Sequence, residues 1–557
     1  MRFASGCAAA LLLCPVASAS QQVLADGHEH SPLDGAFERF ALTTLDEFHV
    51  PGLAIAVVDG ENTWAAGYGN ATLPGTPVTP STLFYGGSTS KAFTAAAFAQ
   101  LISDSDAHPA LSWRTPLASL IRDDFVLEPA YAWAQEHLTL EDALSHRTGF
   151  PRHDKSLSTV YGPDGHKATM RDLTQSLRYL PMVYEPRVEF RYCNLMFMVA
   201  SHVIQTLTGR WLGTTLREGI WSPLGMNATY FSLEDAQAAP EHLAMGYWWD
   251  YSSNRSSSSL GSKKKGGYGE VPFAGLDEAS GAGAVVSNVL DYAKWIRCLV
   301  NEARPLSKAA HAAIKTPRMT PVGTGKDWDG PGSYALGWMV NPYKGHTVYN
   351  HAGGMEGYGA EVFFLPDLGY GVVTLANTAM TSNFAGRTLA WKLINDKLGV
   401  AEEDRYDWAD AGKKSIQDIL SSYDSAVDRL YPERAKPSLP LALPLQKYAG
   451  TYYHPAYQNL TVEVVDGDSS PSGLGQSSKS HLKASRANAV WAMSYEFEHV
   501  SSEFWAVFIN MKNSPNWLSG QVAKAEFRLG PGGWPDVLVM EYMEDGTEGS
   551  IAFERVE

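Results

Sequence analysis

Cysteine is scarce in this chain of 557 residues: there are four, and Cys7 and Cys14 fall in the opening apolar segment. Only Cys193 and Cys298 remain beyond it, which excludes a disulfide scaffold and leaves their own pairing open. A basic surplus is also missing. Lys and Arg number 44 against 60 Asp and Glu, a formal charge of −16, so nothing is available to neutralise the phosphates of a nucleic-acid partner. Long apolar runs are absent as well. The run from Cys7 to Val16 is too short to span a bilayer. With Arg2 before it and Ala17-Ser18-Ala19 after it, this run reads as a secretory signal cleaved after Ala19, predicting a secreted, extracellular protein with no membrane span. In that setting the sequons at Asn70, Asn227, Asn254 and Asn459 predict a glycoprotein.

Metal and carboxylate-pair chemistry find no pattern to rest on. His146 and His153-Asp154 in "SHRTGFPRHD" lie seven residues apart with no third ligand, so no metal and no other cofactor is expected. Arg147 and Arg152 of the same stretch read as braces for a loop, and His28-Glu29-His30 as a frayed terminus. Glu402 and Glu403 sit in a polar connector, which leaves a glycosidase unsupported. What is present is the composition of a folded chain, 45% apolar and 19% charged, long enough for two or three domains.

Apolar periodicity predicts a helix over 35–49, strands over 53–58 and 63–68, a helix from Ser88 to Leu101, a hairpin of 360–365 with 371–376, and a helix over 383–398. Helices and loops fill the middle, with a polar insertion at 252–267. A chain that opens helix-strand-strand and closes strand-strand-helix predicts an α+β fold: one antiparallel sheet flanked by its terminal helices, plus a helical lobe. The expected domains are a signal peptide (1–19), a catalytic domain (33–400), a helix of about 411–430 with a Pro-rich linker (401–444), and a small all-β domain (445–557).

Three short motifs carry chemistry. In "FYGGSTSKAFTAAAF" (84–98) a glycine pair precedes Ser88, and Lys91 lies one helical turn further on the same face. A helix N-terminus favours negative charge on the serine oxygen, and a lysine sheltered from water has a lowered pKa and accepts the serine proton. The same spacing recurs at Ser262/Lys265 and Ser480/Lys483, but without a glycine pair at a strand–helix junction. Tyr192, 104 residues later, offers a phenol for proton transfer, and Asn194 an orienting amide; Tyr-x-Asn recurs at Tyr68/Asn70 and Tyr457/Asn459. His351-x-Gly353, followed by Gly354, occurs once, just before the closing hairpin where a strand edge would line a cleft. Cys193 reads as a small buried thiol.

In this order the motifs resemble the serine β-lactamase and penicillin-binding-protein superfamily, in its class C-like, CubicO-type branch. The likeness extends through "LTLEDALSHRTGFPRHD" (138–154), "FRYCNLMFMVASHVIQTLTG" (190–209), "IWSPLGMNATYF" (220–231), "GAGAVVSNVLDYAKWI" (281–296) and "YNHAGGMEGY" (349–358), about residues 35 to 400 in all. The last domain, opening "YAGTYYHPAY" (448–457), resembles a lipocalin-like barrel. The resemblance implies that Ser88 attacks an acyl carbonyl while Lys91 and Tyr192 share the proton traffic. It also implies an oxyanion hole from the backbone N–H groups of Ser88 and Gly354, with Asn194 orienting lysine and substrate. His351 stands where the β-lactamases carry the lysine of Lys-Thr-Gly. Imidazole anchors a substrate carboxylate less well than an ammonium, which favours peptidase, amidase or esterase chemistry over β-lactam hydrolysis.

The expected function is therefore a serine hydrolase forming an acyl-enzyme from a small-molecule or peptide substrate with an amide or ester bond. An acyltransferase using the same acyl-enzyme, and a non-catalytic protein binding an apolar ligand in the C-terminal barrel, are the alternatives. Neither the natural substrate nor the oligomeric state follows from the sequence.

Overall fold

The computed structural model describes residues 20–23, 30–103, 106–162, 165–251, 266–275, 277–320, 325, 327–466, 480–542 and 549–556. The expected signal segment, the sequon at Asn254 and the Ser262/Lys265 pair lie outside them. None of the helices among the described residues is long and apolar enough to cross a membrane.

The catalytic part is built on one antiparallel sheet of β1 (Gly52–Asp59), β2 (Asn62–Thr72), β3 (Met339–Tyr343), β4 (His346–Met355), β5 (Tyr358–Leu365) and β6 (Tyr370–Ala376). Their order is β2-β1-β6-β5-β4-β3, extended by short strands at Ser20–Val23 and Ser333–Tyr334. Side chains alternate between two cores, as strand geometry requires. Leu53, Ile55 and Val57 pack with α1 (Gly35–Glu47) and the closing helix Thr381–Leu398 on one face. Ala54, Ala56 and Val58 face the helical lobe on the other. The predicted architecture is the one observed. Helix α1 starts where it does because Asp34 Oδ1 accepts from the N–H groups of Ala36 (2.9 Å) and Phe37 (2.8 Å).

Two helices of the lobe matter for the site. Helix α2 (Ser90–Ser103) is buried along Ser90–Ala99, so its Ala-rich composition serves close packing on every side rather than one amphipathic face. Helix α3 (Asn194–Thr208) is almost equally buried and ends at Gly209 in the left-handed region, φ 66°. The single helix expected over 411–430 is two, α4 (Trp408–Ser422) and α5 (Ala426–Leu430). The break lets buried Tyr423 donate to the Trp517 carbonyl at 2.9 Å and lays Ala426 and Leu430 on the outer face of the C-terminal domain.

That domain is a closed eight-stranded antiparallel barrel: β7 (Gly450–His454), β8 (Gln458–Asp466), β9 (Ser480–Ser485), β10 (Met493–Ser501), β11 (Phe504–Met511), β12 (Gln521–Leu529), β13 (Pro535–Glu541) and β14 (Ser550–Arg555). Its inward face is filled by Tyr452, Phe497, Trp505, Phe527, Leu538 and Phe553, among others, in one continuous buried cluster. This corrects the reading of the barrel as a ligand container. Eight strands enclose just enough room for side chains, and here large aromatic ones occupy it.

Candidate active site

The opening motif meets the third motif through two interlocked glycine pairs. Gly87 holds φ 53°, and a Cβ on it would lie 2.7 Å from the Gly354 nitrogen. A Cβ on Gly353 would lie 1.9 Å from the Gly86 carbonyl oxygen. Only backbone without side chains brings the turn this close to β4, and the contact sets Ser88, in the 3₁₀ turn Gly87–Thr89, beside Gly354. Beyond Asn350 the strand β4 pairs only with β5, so His351–Met355 forms a locally open edge.

Lys91 Nζ lies 3.0 Å from Ser88 Oγ and donates to the Ala282 carbonyl at 2.8 Å. Its side chain has no exposed surface. Burial, reinforced by the Arg152 guanidinium, holds its pKa well below the usual lysine value, against a weaker opposing pull from Asp154. Ala282 reaches the lysine because Gly281 lets its segment pack closely; a Cβ there would lie 2.5 Å from Ser201 Oγ.

Tyr192 stands over the pair, with Nζ 4.8 Å from its ring centroid and its phenol interacting with Ser88. Burial raises the phenol, which Ser88 partly offsets. His146 stacks on the ring at 4.1 Å. Its Nδ1 accepts from the Cys193 N–H at 3.0 Å, so a neutral ring carries its proton on Nε2. Burial depresses its basicity strongly. The Cys193 thiol is pushed up to about 12 by burial and is no nucleophile; it and Cys298 are both free.

Two of the expected contacts differ. Asn194, expected to orient Lys91, gives its amide N–H groups to Asp154 Oδ1 and Oδ2, each at 3.0 Å. A protonated lysine would donate to the amide oxygen instead, and Asn194 Oδ1 is buried with no hydrogen-bond partner among the described residues. Asp154 also takes the Arg152 guanidinium at 3.0 Å, and Arg152 in turn lies 4.9 Å above the Tyr192 ring. His351, expected to bind substrate, is saturated. Its Nδ1–H donates to the Ala352 carbonyl at 2.7 Å and its Nε2 accepts from Tyr334 at 3.0 Å. Burial and the charge of Lys91 lower it to about 3, so it offers no positive charge. Gly353 serves packing, its carbonyl accepting from Asn383 at 3.0 Å.

A cavity of about 550 Å³ opens on Ser88, Asn194 and Gly354. Arg152 is the one basic residue of its lining among the described residues. Residues the motifs did not signal complete it: Asp154 and Ala282, Asn383, and a wall from the barrel domain that includes Trp491, Met493 and Met511. Tyr334 acts from behind through His351. Of these the sequence names only Asp154, beside histidines from which no metal site is expected. His153 beside it pairs with barrel Tyr457 at 3.0 Å, while His146 faces the site.

A family model described as beta-lactamase matches residues 37–395, well over half of the chain. The chain belongs to the beta-lactamase family. It is a serine hydrolase of that family. Unguisins hydrolase ungD′ of Aspergillus campestris is 42% identical over 91% of this chain and 89% of its own length. Unguisins hydrolase ungD of Aspergillus violaceofuscus is 40% identical over 96% and 92%. Among solved structures, the octameric penicillin-binding protein homologue from Pyrococcus abyssi superposes with a TM-score of 0.54 at 19% identity, over 93% of this chain and 99% of that one. The D-amino acid amidase from Ochrobactrum anthropi SV3 gives 0.51 at 19%, over 66% and 100%. At such identities both show the fold alone. Residues 433–555 match a domain of unknown function (DUF3471), which gives the barrel no lipocalin relationship.

Proposed function

We propose that this beta-lactamase-family hydrolase cleaves amide bonds, peptides included, through an acyl-enzyme on Ser88. The observation that carries it is the 3.0 Å contact between Ser88 Oγ and a fully buried Lys91, whose burial holds its pKa well below the usual lysine value. Ser88 Oγ bonds to the acyl carbon while its proton passes to Lys91. Backbone N–H groups of Ser88 and Gly354 receive the oxyanion. Collapse breaks the C–N bond, and Tyr192, beside Ser88 and Lys91, relays a proton to the departing nitrogen. Water then repeats the sequence in reverse and frees the acid.

The electrostatics favour a substrate with no carboxylate beside the scissile bond. Arg152 is engaged by Asp154, and His351 is neutral with both nitrogens committed. An internal amide or a peptide amide fits this setting better than a free C-terminal peptide or a β-lactam acid. Two relatives at 40% identity or more are named as unguisin hydrolases, which agrees with hydrolysis.

A fluorophosphonate probe is expected to label the chain at Ser88 and to leave Ser88→Ala unlabelled; a folded sample that resists labelling overturns the reading. Added amine acceptors measure how the acyl group divides between water and transfer. We also propose that the protein is exported and glycosylated. Asn227 and Asn459 are exposed and Asn70 is half-buried in β2. A mature N-terminus at Ser20 and a mass loss on deglycosylation are the expected results.

A further inference from the structure

The lining of the cavity has an unusual composition. Of the 22 described residues lining the cavity, five are methionine (Met198, Met355, Met380, Met493 and Met511), against 15 in the whole chain. Three come from the catalytic part and two from β10 and β11 of the barrel, joined by barrel Trp491 and Leu518. Methionine is unbranched, polarisable and able to re-pack around differently shaped apolar groups. The cavity continues into a smaller recess of about 50 Å³ that shares Met355, Tyr358 and Trp491. Barrel and catalytic part are tied across it where Ser514 Oγ lies 3.0 Å from Glu356 Oε1.

We propose that the barrel supplies half of a substrate side-chain pocket, and that this pocket selects amides whose acyl part carries a large uncharged apolar group, of phenylalanine or leucine size. The proposal rests on the amide-hydrolase reading for its chemistry, but the pocket is a physical object whether or not Ser88 is the nucleophile. Continuity with Ser88 and Gly354 identifies the occupant, because a group in this space is attached to the carbonyl that the serine reaches. The barrel's own interior is full, so its contribution is its rim and outer loops.

The test compares kcat/KM for phenylalanyl and alanyl p-nitroanilides with the full chain. Met493→Ala/Met511→Ala is expected to lower the phenylalanyl-to-alanyl ratio about tenfold or more, the scale of losing apolar contacts in a specificity pocket. Met493→Leu should restore most of it when combined with native Met511. Glu463→Gln, an exposed position on β8, should leave the ratio where it was. An unchanged ratio in the double variant, or an equal fall in Glu463→Gln, overturns the proposal. Calorimetry on Ser88→Ala judges the pocket without turnover. N-acetylphenylalaninamide binding about tenfold tighter than N-acetylalaninamide supports it. Equal binding overturns it, whatever the outcome of Ser88 labelling.

Discussion

The floor of the cavity and its barrel wall are built in opposite ways. On the floor three polar side chains are pinned by hydrogen bonds: Lys91 to Ser88 and Ala282, Asn194 to Asp154, His351 to Tyr334 and its own chain. Close-packed glycines and a buried Ala-rich helix leave these groups no slack. The wall presents flexible methionines and joins the floor through a few polar contacts. The difference follows from what each must do. Proton transfer depends on tenths of an ångström, whereas an apolar pocket tolerates, and gains range from, side chains that adjust.

The comparison breaks most severely at the lysine. Lys91→Met should lower kcat/KM about 10⁴-fold and Tyr192→Phe about 10²–10³-fold, the range for general acid–base groups, with little change in KM for either. A KM effect alone would move both residues from chemistry to packing. The acidic limb of the pH–rate profile should follow Lys91, whose neutral form is the active one, and should disappear in a variant lacking it.

Next in size is the barrel's hold on the floor. Buried Arg486 donates to the carbonyls of Lys155 and Ser156, on the loop that carries Arg152 and Asp154. Arg486→Ala should cost about 1.5–3 kcal/mol in urea unfolding, as expected for charged hydrogen bonds, and lower kcat several-fold by loosening Asp154. Stability without a kcat change would make the barrel a passive neighbour.

Acid should weaken the same junction. His153 is lowered to about 4 and His351 to about 3, in both cases chiefly by burial, against an ordinary value of 6.5. Their contribution is complete above pH 6.5 and is lost as the pH falls toward the folded values, because the unfolded chain takes up the protons first. Near pH 5 these two histidines alone contribute up to two protons to the difference between the states, a slope of roughly 2–3 kcal/mol per pH unit from this pair. Denaturation curves between pH 4.5 and 7 measure it, and His153→Gln should flatten it. The smallest effect belongs to Ser514→Ala, which removes the bond to Glu356 and should cost about 0.5–1.5 kcal/mol.

Much of the floor was legible because its signals are local. A glycine pair before Ser88 with a lysine one turn on, and Tyr-x-Asn at a helix start, are each patterns spanning a few residues. Asn194 shows the limit of this. Its motif was visible, yet its amide turned to Asp154, 40 residues upstream, rather than to the lysine. Tyr334 and Ala282 carried no motif, since a buried hydroxyl or a backbone carbonyl is recognisable only by what it touches.

Residue order and pattern alone determined the sheet with its two flanking helices, the closing all-β domain and the spacing of serine, lysine and tyrosine. These rest on periodicity and on short-range backbone chemistry, which a linear chain records directly. Tertiary structure alone decided that His351 is spent on Tyr334, that the barrel is full, and that its rim walls the cavity some 400 residues after Ser88 (Ser88 against Trp491). Such facts come from which surfaces meet when two cores are buried together, and the one-dimensional pattern carries no term for that.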